Sequence, residues 1–140
     1  MKILVAVDGS KYTKRMLAYL AAHDEWLGAQ HAYTLVTVVL PLPPRAAAVL
    51  PKDVLTAHYD MEAERVFKPV RQFLAKKPLA VDYVSKTGPA AETIAAFSAK
   101  GKFDLLMMGS HGHGAFGNLV LGSVATKVMA QCKAPVLLVR

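Results

Sequence analysis

Cysteine is almost missing from this sequence: Cys132 is the single thiol in 140 residues. That excludes an intramolecular disulfide framework and a Cys-rich zinc site. No apolar run approaches the roughly 18 residues that cross a bilayer. The opening run Ile3–Val7 stops at Asp8, too short for a signal-peptide core. Blocks of like charge are missing too. The net charge of +7 is spread over Lys2, Lys11, Lys14, Arg15, Arg65, Lys68, Arg71, Lys76 and Lys77, with no stacking aromatics between them. A solvated basic surface fits that spread better than a nucleic-acid site. Finally, no aspartate or glutamate follows Asp104. The segment 105–140 carries His111, His113, Lys127, Lys133 and Arg140 unopposed, so an anion meets least repulsion there. What remains is a soluble, reduced, cytoplasmic protein with neither nucleic acid nor membrane as partner.

The composition is 54% hydrophobic and 19% charged, which suits one globular domain over 1–140. Five short apolar runs read as strands: Lys2–Val7, Tyr33–Val39, Ala80–Lys86, Phe103–Met108 and Pro135–Val139. Three lack clear alternation, as expected of strands covered on both faces of a parallel sheet. Helical spacing lies between them. Lys11–Leu27 puts Met16, Leu20, His23 and Leu27 on one face. Lys52–Lys77 does the same with Leu55, Tyr59, Glu62, Val66, Val70 and Phe73, and Pro69 predicts a kink or break near Lys68. Ala90–Lys100 ends at Gly101, read as a left-handed cap. Leu121–Lys133 aligns Leu121, Val124, Ala125, Val128 and Cys132. Pro41–Pro51 reads as an exposed loop.

Strands alternating with helices give an α/β three-layer sandwich around a five-stranded parallel sheet. Ligands of such sheets bind at strand carboxyl ends where the winding reverses. That rule selects Asp8-Gly9-Ser10 after the first strand and the loop from Gly109 after the fourth.

Residues 109–123 read GSHGHGAFGNLVLGS. Gly112 to Gly117 fits G-x-G-x-x-G letter for letter, but it follows the fourth strand and no ribose-binding acid lies downstream, so the dinucleotide reading fails. There is no Walker A lysine and no G-x-S-x-G elbow. Glycine amides, the start of the next helix and the Ser123 hydroxyl could together cradle a phosphate. The alternative is a surface loop, glycine-rich because it must turn. Asp8 has three roles open to it: hydrogen bonding to a ligand's hydroxyls or amines, holding a metal, or accepting amides around Ser10. His111 and His113 lack a third ligand, which favours phosphate contact or solvation over a metal site. A hydrolytic triad of Ser110, His111 and Asp8 is disfavoured by the missing elbow. Cys132 reads as a core thiol, and His23 and His58 as ordinary half-buried histidines.

The pattern Gly109-x2-Gly112-x9-Gly122-Ser123 resembles the nucleotide-binding signature of the universal stress protein family. The opening Ile3-Leu4-Val5-Ala6-Val7-Asp8-Gly9-Ser10, the strand Leu35–Val39, Gly88-Pro89-Ala90-Ala91-Glu92-Thr93-Ile94 and Ala134-Pro135-Val136-Leu137-Leu138-Val139 agree with it. The resemblance spans essentially the whole chain. It implies strand order 3-2-1-4-5, a Rossmann-like fold, and the subgroup that carries the ATP-binding glycines, with ATP, or ADP or AMP, as ligand; Mg²⁺ at Asp8 is a separate expectation from the Asp8 carboxylate. Phosphates would rest on Gly109, Gly112, Gly122 and Ser123, and the adenosine end on Asp8 and the Val38 backbone. Ala6, Val7, Met108, Ser110, His111, His113 and Val124 complete the expected contact set. Pairing of the last strand, Val136–Val139, would make a homodimer, and an unidentified protein partner would receive the signal. Many relatives carry arginine or lysine where this chain has His113, and often another basic residue where it has Asn118.

Three functions follow as expectations. The first is a nucleotide-binding regulatory protein of the stress response. The second is a slow ATPase or autophosphorylating enzyme using Asp8 with Mg²⁺ and Ser110 or Ser123. The third is a dimeric scaffold without nucleotide.

Overall fold

The computed structural model describes residues 1–114, 118 and 120–140. The last glycine of the G-x-G-x-x-G match, Gly117, lies outside the described residues, with Ala115, Phe116 and Leu119.

Five strands form one parallel sheet: β1 Lys2–Ala6, β2 Ala32–Val39, β3 Ala80–Thr87, β4 Leu105–Gly109 and β5 Val136–Val139. Their order is β3-β2-β1-β4-β5. The chain winds outward from β1 through β2 to β3, then returns to the other side of β1 for β4 and β5. The reversal falls between β1 and β4, which pair from Ile3↔Leu105 to Ala6↔Met108. The helices are α1 Lys11–Ala22, α2 Asp24–Leu27, α3 Pro44–Ala48, α4 Lys52–Leu74, α5 Ala90–Gly101 and α6 Ser123–Gln131.

Strand periodicity separates two cores. Ile3, Val5, Tyr33, Leu35 and Met107 point to the face covered by α1 and α4, where Met16, Leu20, Phe67 and Leu74 meet them. Leu4, Val36, Leu106 and Met108 point to the opposite face, against Ile94 of α5 and Ala125 and Val128 of α6. Apolar residues at both parities are what an internal parallel strand requires, hence the weak alternation in the sequence.

Several expected boundaries move. The first helical stretch divides at His23, whose backbone leaves the helical region (φ −123°, ψ 50°). Its Nδ1 lies 2.8 Å from the Tyr19 carbonyl, to which it donates. The proline-rich stretch 41–51 contains one helical turn, α3, with Pro44 at its start, where a missing N–H costs nothing.

The expected break near Lys68 does not occur: α4 runs through Pro69. Proline inside a helix costs about 3 kcal/mol. Phe67, Val70 and Leu74 are each at most 5% exposed, and burying each contributes about 1.5–3 kcal/mol, so packing outweighs the defect. Both Pro69 and Arg65, whose carbonyl loses its donor, are exposed, so water can reach that carbonyl. The buried stripe is Ala63, Phe67, Val70 and Leu74, and Phe73, expected inside, is 43% exposed.

The left-handed cap of α5 is Lys102 (φ 50°), not Gly101. Gly101 is needed for another reason: a Cβ there would collide with the Phe103 ring.

Candidate functional site

A cavity of about 520 Å³ opens at the carboxyl ends of β1 and β4. One wall is Ala6, Val7 and Asp8, the next Val36, Val38 and Leu40, and the floor Met108 and Gly109. Ala90 and Ile94 of α5 face them, and His111–Gly114 with Gly122–Ala125 form the glycine lip. Every expected contact residue except Ser110 lines this space.

The turn after β1 is fixed by local chemistry. Gly9 has φ +77°, a left-handed conformation that side chains resist. It lets the chain reverse so that Ser10 N–H and the Thr13 hydroxyl both donate to Asp8 Oδ1, at 2.9 and 3.0 Å. Asp8 N–H returns a bond to Thr13 Oγ1 at 3.0 Å. One carboxylate oxygen thus fulfils the structural role read for Asp8. The other, Oδ2, lies 2.8 Å from where a Cβ of Gly112 would stand, so the carboxylate abuts the glycine loop. Thr13 escaped the sequence reading, although its place five residues after Asp8, in the first helical turn, was a usable signal.

The lip is held from behind. Ser110 N–H donates to the Val139 carbonyl at 2.8 Å, and Gly122 N–H donates to the Ser110 carbonyl at 2.8 Å. Those two amides are therefore spent inside the protein. Thr126 N–H is the first in α6 to reach back, to the Gly122 carbonyl at 3.0 Å, which leaves the Ser123, Val124 and Ala125 amides at the helix mouth. No acidic residue occupies that first turn. Gly122 has ordinary extended backbone (φ −71°), but a Cβ would stand 3.0 Å from His111 Cα and 3.3 Å from the Ser110 carbonyl oxygen. Its glycine permits close packing of the lip.

Ser110 departs from expectation. It is wholly buried, and its Oγ lies 2.9 Å from His111 Nδ1. Adjacent residues do meet here, yet burial denies that hydroxyl to any ligand, whether as contact, nucleophile or phosphate acceptor. The His111 ring also rests against Tyr12, centroids 5.0 Å apart. His113 donates from Nε2 to the Asp8 carbonyl at 2.6 Å. Among the described residues no group of three metal-ligating side chains exists. Asp8 offers one carboxylate, so a Mg²⁺ here would take its remaining ligands from phosphate oxygens and water.

A parallel sheet of this order, with a glycine-and-helix lip over its switch point, defines a doubly wound, Rossmann-like α/β protein. The chain belongs to the universal stress protein family, whose model matches residues 1–140. It is 35% identical over 142 residues to the universal stress protein in the QAH/OAS sulfhydrylase 3′ region of Thermus aquaticus, covering 99% of this chain and 97% of that one. Its fold matches that of hypothetical protein MJ0577 with TM-score 0.81 and 25% identity, over 99% and 94% of the two chains. It also matches a universal stress protein family protein from Arabidopsis thaliana with AMP bound, at TM-score 0.70, 16% identity and 99% and 90% coverage. The same fold occurs in the Archaeoglobus fulgidus universal stress protein in complex with dAMP, at TM-score 0.70, 19% identity and 100% and 98% coverage.

Proposed function

We propose that this protein binds an adenine nucleotide in the switch-point crevice and acts as a dimeric regulatory protein of the cytoplasmic stress response. The observation that carries this reading is the pairing, in one cavity, of an apolar slot with a donor lip. Val36, Val38, Met108 and Ile94 suit the faces of a purine. The amides of Ser123–Ala125 and the loop through Gly112 suit a phosphate, with the α6 dipole contributing roughly 0.3–1 kcal/mol per charge. The complexes of related proteins with AMP and dAMP support the same ligand class. The output we propose is conformational or partner-mediated, since among the described residues of the cavity lining there is no arginine or lysine to serve phosphoryl transfer.

Nucleotide retained through purification and identified by mass spectrometry, together with saturable binding of adenine nucleotides by calorimetry, would support the reading. A protein that purifies empty and binds none of them would refute it and leave the dimeric scaffold.

A further inference from the structure

Tyr12 is no part of the crevice walls, but it stands directly behind their glycine lip. It belongs to the first turn of α1, beside Thr13, whose hydroxyl donates to Asp8 Oδ1 at 3.0 Å. That turn is therefore fixed to the end of β1. From it the half-buried Tyr12 packs onto the exit of β4. A Cβ on Gly109 would stand 2.6 Å from Tyr12 Cβ, so the bare Gly109 backbone is what lets α1 approach this closely. The Tyr12 ring rests on the His111 imidazole, centroids 5.0 Å apart and planes tilted by 32°. Lys11 Nζ and Arg15 Cζ each lie 5.3 Å from the Tyr12 ring centroid. These cation–π contacts restrain the ring from its own helix.

His111 passes the contact on. Its Nδ1 meets Ser110 Oγ at 2.9 Å, and its Cα is 3.0 Å from where a Cβ of Gly122 would be. Gly122 is the N-cap of α6. Tyr12, His111 and Gly122 thus form one packed line from α1 to the α6 mouth, and close-packed contacts transmit a displacement. The bond from His113 to the Asp8 carbonyl ties the lip to the same β1 turn. The line through Tyr12 continues from that turn to α6.

We propose that Tyr12 is a positioning residue for ligand binding. Packed behind the lip, it sets the place of His111 and of the α6 N-terminus without touching the ligand. This rests on the nucleotide reading above, in which the lip meets the phosphate end and the apolar slot meets the base. Loss of the Tyr12 ring should therefore weaken the phosphate contacts and spare those to the base.

Calorimetric titration of AMP and adenosine into the parent, Tyr12→Leu and Tyr12→Phe tests this. Tyr12→Leu keeps apolar bulk and removes the ring. It should bind AMP about three- to tenfold more weakly, as the loss of one aromatic pair implies, and bind adenosine as the parent does. Tyr12→Gln, a second ringless variant, should repeat that result, so the outcome does not hang on the folding of one protein. Tyr12→Phe keeps the ring against His111 and should bind both ligands like the parent. A contact that serves folding alone would lower the melting temperature of the ringless variants and leave their AMP-to-adenosine affinity ratio unchanged. That unchanged ratio would overturn the proposal, as would a Tyr12→Phe variant as weak for AMP as Tyr12→Leu. If neither AMP nor adenosine binds the parent, the nucleotide reading itself fails, an outcome distinct from a ratio that Tyr12 does not alter.

Discussion

His113 reaches across 105 positions of sequence to donate its Nε2 proton to the backbone carbonyl of Asp8 at 2.6 Å. A carbonyl only accepts, so Nε2 carries the proton of this bond. It ties the lip after β4 to the turn after β1, the two edges of the crevice. His113→Ala should therefore loosen the lip more than it destabilises the fold. An exposed hydrogen bond of this kind contributes about 0.5 kcal/mol. Thermal unfolding should change little, while hydrogen exchange at residues 111–114 accelerates and nucleotide affinity falls.

Gly122 gives a sharper test of the lip. From the sequence, Gly122→Val would occlude phosphate and leave the fold intact. The 3.0 Å approach to His111 Cα means that even alanine must displace backbone. Gly122→Ala should cost about 1–3 kcal/mol, the range for overpacking, and weaken nucleotide at least about tenfold through the displaced α6 mouth. Denaturant unfolding and calorimetry read the two effects separately, and unchanged affinity would count against the lip as the phosphate site.

Tyr33 predicts an alkaline limit to stability. Its ring is 1% exposed, and its hydroxyl is held by the Leu27 and Gly28 carbonyls. Burial pushes its pKa from 10.0 up to about 12. The folded protein thus holds a proton that the unfolded chain releases first. The associated stability is complete below about pH 10 and is lost as pH rises towards 12. Tyr33→Phe should be less stable at neutral pH by about 1–2 kcal/mol, having taken the hydroxyl donor from the Leu27 carbonyl while Gly28 keeps the His31 N–H. Its deficit should shrink above pH 10, as urea unfolding at stepped pH would show.

Pro69 is a defect tolerated inside α4. Replacing it by alanine returns an N–H to the Arg65 carbonyl on an exposed face. Pro69→Ala should stabilise the protein by about 1–3 kcal/mol, raising the melting temperature by several degrees. A lower melting temperature would mean that the proline ring packs in a way its exposure does not suggest.

The edge strand β5 bears on the proposed dimer. The Pro135 carbonyl accepts from Leu106 and the Val139 carbonyl from Ser110, so odd-numbered residues turn their backbone towards β4. Val136 and Leu138 therefore turn theirs to the open edge, where a second β5 could pair. Leu138→Pro removes one outward N–H and spares the β4 ladder. Analytical ultracentrifugation should find a dimer for the parent and a monomer for the variant, with circular dichroism checking that the variant folds. A monomeric parent would exclude this pairing.

Strand and helix identities were legible because they rest on local pattern: β-branched runs for β1, β2 and β5, and helical spacing for α1 and α6. The crevice was legible through the order of those elements, which puts Asp8 and Gly109 at a switch point. Less was legible where two residues distant in sequence had to meet. The break offered as one outcome at Pro69 did not follow, because the opposing side-chain burial cannot be seen along one helix. Gly101, by contrast, was given a conformational role where a local contact decides: the Phe103 ring two residues on turns back over it, a side-chain orientation the sequence does not spell out. Ser110 was assigned to the ligand because nothing in G-S-H-G says that Val139 and Gly122 close over it.

The sequence by itself therefore determined the family, the parallel α/β order and the place of the glycine lip, since each is written in short-range periodicity and fixed spacing. Only the tertiary structure decided which amides remain for a ligand, which Asp8 oxygen faces the lip, and that His113 joins the two edges. Those are questions of which donor reaches which acceptor first, and hydrogen-bond competition is settled by distances across the sheet, not along the chain.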